Sequence, residues 1–148
     1  MNHAIKRIFI VDDHQFVIDS VRLLLGDLPQ FEITGSTTQP LLAAGLLEHA
    51  KTDVLITDIS MPGMNGIELT RLIKSKFPEI KIIALSMSSD SQVVAEMIAA
   101  GVSGYILKNS AGKEMAEALE KVAAGIPYFS PEIQALLMSS FKRNTRSA

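Results

Sequence analysis

The chain has 148 residues, 47% of them hydrophobic, with 14 basic and 16 acidic side chains, a net charge of −2 and no cysteine. At roughly 150 residues per domain this is one domain with room for a short appendage; extensive disorder, a disulfide framework and thiolate metal sites are excluded. There is no basic field for nucleic acid, no apolar run near the roughly 18 residues of a membrane span, and no signal-peptide pattern in the opening residues, so a cytoplasmic protein is expected.

In chain order, residues 7–11 read as a strand, almost wholly apolar through Ile8, Phe9, Ile10 and Val11. A helical stripe follows over 16–26 (Val17, Val21, Leu24, Leu25), with Gly26 as its stop. A strand at 31–34 leads to a weaker helix at 41–49 that Gly45 interrupts, then to an apolar strand at 54–57. The next helix, 66–77, presents Leu69, Leu72 and Ile73 and ends at Phe77-Pro78. A strand at 81–85 precedes a helix at 91–100 closed by Gly101. The last pair is a strand at 104–107 and a helix at 112–124. Strands that are apolar on both faces, alternating with helices, imply a doubly wound parallel α/β sheet. After a break at residues 125–127, Ser130-Pro131-Glu132 opens one further helix, Ser130 as its N-cap. Its stripe is Ile133, Leu136, Leu137 and Phe141, and residues 142–148 read as a frayed polar tail or linker.

In such a sheet ligands bind outside the carboxyl ends of the strands. Those ends carry Asp12 and Asp13, Asp58, Ser86 and Lys108. Singly, each has an ordinary explanation: a helix cap, a turn residue, a loop hydroxyl, a solvated lysine. Together, five polar residues on the one rim that binds ligands are poorly explained that way. Two carboxylates about 4 Å apart repel by roughly 4 kcal/mol at an effective dielectric near 20, so three call for a cation. An all-oxygen set suits Mg²⁺ joined to a phosphate, and Lys108 adds a second positive point. The chemistry implied is phosphoryl transfer. Asp58 is the best candidate nucleophile, being on the central strand and followed by the Gly/Pro-rich Met61-Pro62-Gly63-Met64-Asn65-Gly66.

Four segments carry a resemblance: Val11-Asp12-Asp13-His14, Thr57-Asp58-Ile59-Ser60 with the loop after it, Ala84-Leu85-Ser86-Met87, and Ala100 through Lys108. Over about residues 5–125 the chain resembles the receiver domain of bacterial two-component response regulators. Leu85-Ser86-Met87 and Ile126-Pro127-Tyr128-Phe129-Ser130-Pro131-Glu132 are similar to the NarL/FixJ (LuxR-type) subfamily. The resemblance implies a flavodoxin-like, five-stranded sheet of order 2-1-3-4-5, with a receiver at 1–125 and a linker at 126–148 holding one helix at about 130–141. It implies that Asp58 accepts a phosphoryl group from a sensor histidine kinase. Asp13, Asp58 and the backbone carbonyl of Ser60 would bind Mg²⁺, Asp12 helping through water. Ser86 and Lys108 would contact the phosphoryl group, and Tyr105 would be the switch aromatic, though ordinary strand packing accounts for Tyr105 equally well. His14 is read as a solvent-facing side chain.

The expected role is a phosphorylation-dependent switch that assists its own Mg²⁺-dependent phosphorylation and dephosphorylation, not an enzyme turning over a substrate. A homodimer linked to phosphorylation is an expected output. Subfamily members usually regulate transcription through a C-terminal helix-turn-helix domain. Such a DNA-binding domain is absent from the chain as given, so either the chain is shortened or the receiver works alone, by protein contact or as a phosphate sink. Many receivers place a cis proline after the lysine; Asn109 stands there. A non-proline cis bond costs about 2.5–4 kcal/mol, which leaves a trans linkage or a strained one open. A flavin-binding protein on the same fold would need a hydroxyl- and glycine-rich loop where Asp12-Asp13 repel phosphate. A small-molecule phosphatase would need a second Asp where Asp58-Ile59-Ser60 has none.

Overall fold

The computed structural model describes residues 4–146, the last seven by backbone alone. Six strands form one sheet: β1 (Lys6–Val11), β2 (Phe31–Thr37), β3 (Val54–Thr57), β4 (Lys81–Ser86), β5 (Gly104–Leu107) and β6 (Tyr128–Phe129). Their order is β2-β1-β3-β4-β5-β6, and every pairing is parallel. The helices are α1 (Gln15–Gly26), α2 (Ala43–Leu47), α3 (Gly66–Lys76), α4 (Ser91–Ala100), α5 (Ala111–Ala123) and α6 (Pro131–Arg146).

The period-two alternation of a strand sorts the apolar residues onto two faces. Ile8 and Ile10 of β1, Val54 and Ile56 of β3, Ile83 and Leu85 of β4, and Ile106 of β5 share a core with α1 and α5. Phe9, Val11, Leu55, Ile82, Ala84, Tyr105 and Leu107 share another with residues of α2, α3, α4 and α6. Helices on both faces are the flavodoxin-like arrangement expected. The sheet order also matches over the first five strands.

Three details differ from the sequence reading. The sheet has six strands, not five. Gly125 takes φ +87°, ends the path of α5, and returns the chain along the free edge of β5. Two residues are too few for alternation to reveal a strand. The segment at 41–49 divides into a 3₁₀ turn at Pro40–Leu42 and the five-residue α2, which contains Gly45. The last helix runs on to Arg146, past the stop placed near residue 141. Residues 142–146 hold no Gly or Pro to end it. The Phe141 side chain, assigned to the apolar stripe, and residues 147–148 of the tail lie outside the described part.

Candidate functional site

Parallel register builds the site. Val11 pairs with Thr57, so the next residues, Asp12 and Asp58, leave adjacent strands side by side. Ser86 pairs with Leu107, which brings Lys108 to the same rim. Alternation adds phase: Asp12, Asp58 and Lys108 follow Ile10, Ile56 and Ile106 at a spacing of two, in step with the α1/α5 face. The Lys108 ammonium lies 3.1 Å from Asp12 Oδ2 and 3.4 Å from Asp58 Oδ2. Asp12 and Asp58 are 1% and 6% exposed, so these are charges in a poorly solvated pocket rather than surface ion pairs.

The loop after β3 is held to the same point. The Asp58 N–H donates to the Val11 carbonyl at 2.9 Å, and the Ile59 N–H donates to Asp58 Oδ1 at 2.8 Å. The Gly66 N–H donates to the Ile59 carbonyl at 2.7 Å. A Cβ on Gly66 would stand 2.2 Å from the Asp58 carbonyl oxygen, so only glycine lets α3 start this close to the end of β3. Asn65 and Glu68 close a capping box over the start of α3.

Asp58 has its pKa raised above the ordinary carboxylate value. Burial is the largest cause and the charge of Asp12 the next; the Ile59 N–H and Lys108 act in the opposite direction. One donor atom from each of Asp12, Asp13, His14 and Asp58 lies within 4.8 Å of the others. Asp12 Oδ2 and Asp13 Oδ1 are buried, and their only polar partners are the ion-pair contacts with Lys108 and His14. Three carboxylates crowded into a partly desolvated pocket, with one lysine between two of them, fit a divalent cation.

The other sequence candidates are placed differently. Ser86 is buried at the end of β4, where its hydroxyl accepts the Ser88 N–H at 3.0 Å. No hydrogen bond joins it to the carboxylates. Ser60 is exposed on the loop two residues past Asp58. Tyr105 is fully buried and its hydroxyl donates to the Ser88 carbonyl at 2.5 Å; burial is the main cause of its raised pKa. It therefore links β5 to the loop before α4. The Lys108–Asn109 bond is trans, like every described peptide bond.

The contacts of two residues escaped the sequence reading. His14 is largely exposed, as expected, yet its Nδ1 stands 3.1 Å from Asp13 Oδ1 and 3.4 Å from Asp12 Oδ1. Its position beside the acidic pair was the available signal. Ser130, read as an N-cap, turns its hydroxyl to the neighbouring strand and accepts the Leu107 N–H at 3.1 Å. No local pattern announces a contact across 23 residues.

The response regulator receiver domain model matches residues 8–120. The transcriptional regulatory protein DegU of Brevibacillus brevis is 34% identical over 137 residues, covering 93% of this chain and 58% of that protein. The response regulator GacA of Pseudomonas viridiflava is 31% identical over 137 residues, covering 92% of this chain and 64% of that protein. The chain thus spans less than two thirds of the length of these relatives. Among solved structures, a LuxR-family two-component response regulator from Aurantimonas sp. SI85-9A1 superposes with a TM-score of 0.87 at 29% identity, covering 93% of this chain and 98% of that one. The isolated REC domain of RcsB from Salmonella enterica serovar Typhimurium, solved with the phosphomimetic BeF3−, gives a TM-score of 0.83 at 27% identity, covering 89% and 98%. With a parallel sheet of this order and an acidic pocket at its carboxyl edge, the chain belongs to the response regulator receiver domain family, in its NarL/FixJ branch.

Proposed function

We propose that the chain is a phosphorylation-dependent switch in which Asp58 accepts a phosphoryl group from a sensor histidine kinase. The observation that carries this reading is the convergence of Asp58, Asp12 and Lys108 in a pocket that disfavours so much negative charge. An Asp58 carboxylate oxygen forms a bond to phosphorus while the bond from phosphorus to the donor imidazole nitrogen breaks. The electron pair stays with that nitrogen, which is then protonated from solvent. The Ile59 N–H holds Asp58 Oδ1, leaving Oδ2, which faces Lys108, as the attacking atom. The Lys108 ammonium is placed to pair with a phosphoryl oxygen.

Asp13, Asp58 and the Ser60 carbonyl would hold Mg²⁺, with Asp12 acting through water. When bound, that ion supplies charge neutralisation for the transferring group. The Ser86 hydroxyl would leave the Ser88 N–H and donate to a phosphoryl oxygen, drawing the segment 87–90 with it. Tyr105, bonded to the Ser88 carbonyl, would follow as the switch aromatic. A hydrogen bond to a charged group contributes about 1.5–3 kcal/mol. That is short of the roughly ten-thousandfold bias of a near-complete switch, so the loop and α4 must move together.

Residues 1–125 would be the receiver and 126–148 a linker that carries α6. By kinship with the transcriptional regulatory protein DegU, the output in a longer protein would be control of transcription, with DNA contacted by another domain. Action as a receiver alone, by protein contact, is the second reading. Intact-mass analysis after incubation with phosphoramidate and Mg²⁺ tests the central claim. One phosphoryl adduct is expected on the wild-type chain and none on Asp58→Asn. A stoichiometric adduct that persists on the variant would move the acceptor elsewhere.

A further inference from the structure

The segment after α5 is fastened to the strand that carries Lys108. The Tyr128 N–H donates to the Ser103 carbonyl at 3.1 Å and the Ser130 N–H to the Tyr105 carbonyl at 3.0 Å. The next rung is made by a side chain: the Leu107 N–H donates to Ser130 Oγ at 3.1 Å in a fully buried bond, Ser130 being 1% exposed. The chain turns into α6 at Pro131, so no β6 backbone carbonyl continues the ladder there. Lys108 is the next residue along. On its other side α6 is seated by Ile133, which is fully buried in the same core as Val94 and Met97 of α4. The Gln134 N–H donates to the Ser130 carbonyl at 2.9 Å, and Gln134 Nε2 to the Phe129 carbonyl at 2.9 Å. A serine that merely capped α6 would keep its oxygen over that helix's own first turn. This one spends it on β5.

We propose that Ser130 is a positioning residue for the phosphoryl site. By accepting the Leu107 N–H it fixes where β5 ends, and so where the Lys108 ammonium stands between Asp12 and Asp58. The inference rests on the reading of Asp58 as phosphoryl acceptor. Because coupling between two sites is reciprocal, loading Asp58 and seating α6 each favour the other. Without the hydroxyl, the buried Leu107 N–H has no acceptor, and β5 relieves that loss by shifting its end and Lys108 with it.

The test uses phosphoramidate with Mg²⁺ and follows adduct formation by intact mass. Ser130→Ala is expected to slow labelling by roughly three- to tenfold, the scale of one lost hydrogen bond, and Ser130→Thr, which keeps the acceptor, to restore it. A residue that only stabilised the fold would lower the melting temperature and leave the rate unchanged. A second measurement needs no variant. Beryllofluoride with Mg²⁺ is expected to slow hydrogen exchange of the Leu107 and Gln134 amides in the wild-type chain. A Ser130→Ala rate equal to wild type, or protection at Leu107 that beryllofluoride leaves unaltered, overturns the proposal. If the wild-type chain takes up no phosphoryl group on Asp58, both readings fall; if it does and the Ser130 results are flat, this one alone fails.

Discussion

Asp58 carries a negative charge that its surroundings resist, and removing that charge has a sign that can be measured. In the absence of divalent cations, Asp58→Asn is expected to raise stability by about 1 kcal/mol, or roughly 3 °C in Tm for a domain of this size. The pH dependence follows from the same shift. Burial and Asp12 raise the folded-state pKa above the ordinary 3.8, so between the two values the folded chain binds more protons than the unfolded one. Stability from this group therefore falls as pH rises through that window. The stability gap between Asp58→Asn and wild type is expected to shrink on acidification, as wild-type Asp58 becomes neutral; urea melts of both proteins in chelator, across pH, check it. A gap that widens toward acid would contradict the crowding argument. Lys108 makes the complementary case. Lys108→Gln leaves Asp12 and Asp58 facing each other with no cation, and a loss of about 3 kcal/mol is expected in chelator. Added Mg²⁺ should recover part of that loss, and denaturation with and without the ion measures it. The types and phase of Asp12, Asp58 and Lys108 were legible in the sequence, because each stands just past an apolar strand. The two roles of His14 and Ser130 contacts were not, since both depend on which chain segments lie beside them.

Among the elements, the junction of β3 with α3 is the least tolerant. Gly66→Ala is expected to cost about 3 kcal/mol or more, at the upper end of overpacking penalties, because its Cβ would meet the Asp58 carbonyl and the Ile59 Cα at 2.2 and 2.8 Å. Both neighbours are backbone, so nothing small can rotate away. A urea midpoint near that of wild type would show that the loop yields where the packing says it cannot. Most elements could be read from their own residues: apolar runs for the strands, stripes and Gly or Pro stops for the helices. β6 could not, since a two-residue strand is defined by its partner. Gly104 is part of the reason it fits there: a Cβ on Gly104 would lie 2.9 Å from the Tyr128 carbonyl, so glycine leaves room for β6 to approach. Tyr128 then sets its hydroxyl 2.9 Å from a Glu114 carboxylate, and partial burial first, with that hydrogen bond second, pushes its pKa up to about 12.

For the molecule as a whole, a cation held only by the folded pocket must stabilise the fold by mass action, by about 2.7 kcal/mol at a hundredfold excess over its dissociation constant. Thermal melts across a Mg²⁺ series are expected to climb for wild type and stay flat for Asp13→Asn; parallel slopes would remove Asp13 from the ligand set. Sedimentation with and without beryllofluoride tests the expected phosphorylation-linked dimer, and an unchanged mass would remove that expectation. Among the described residues no helix is long and apolar enough to cross a membrane. The sequence by itself determined the alternation of strands and helices, the rim on which the polar residues fall and the family motifs, because each is written in the period and chemistry of neighbouring residues. Tertiary structure alone decided that α6 seats on α4, that a sixth strand closes the edge of β5, and that Ser130 reaches Leu107. Those outcomes depend on surfaces built by residues distant in the chain, and no local pattern encodes which of two distant segments will meet.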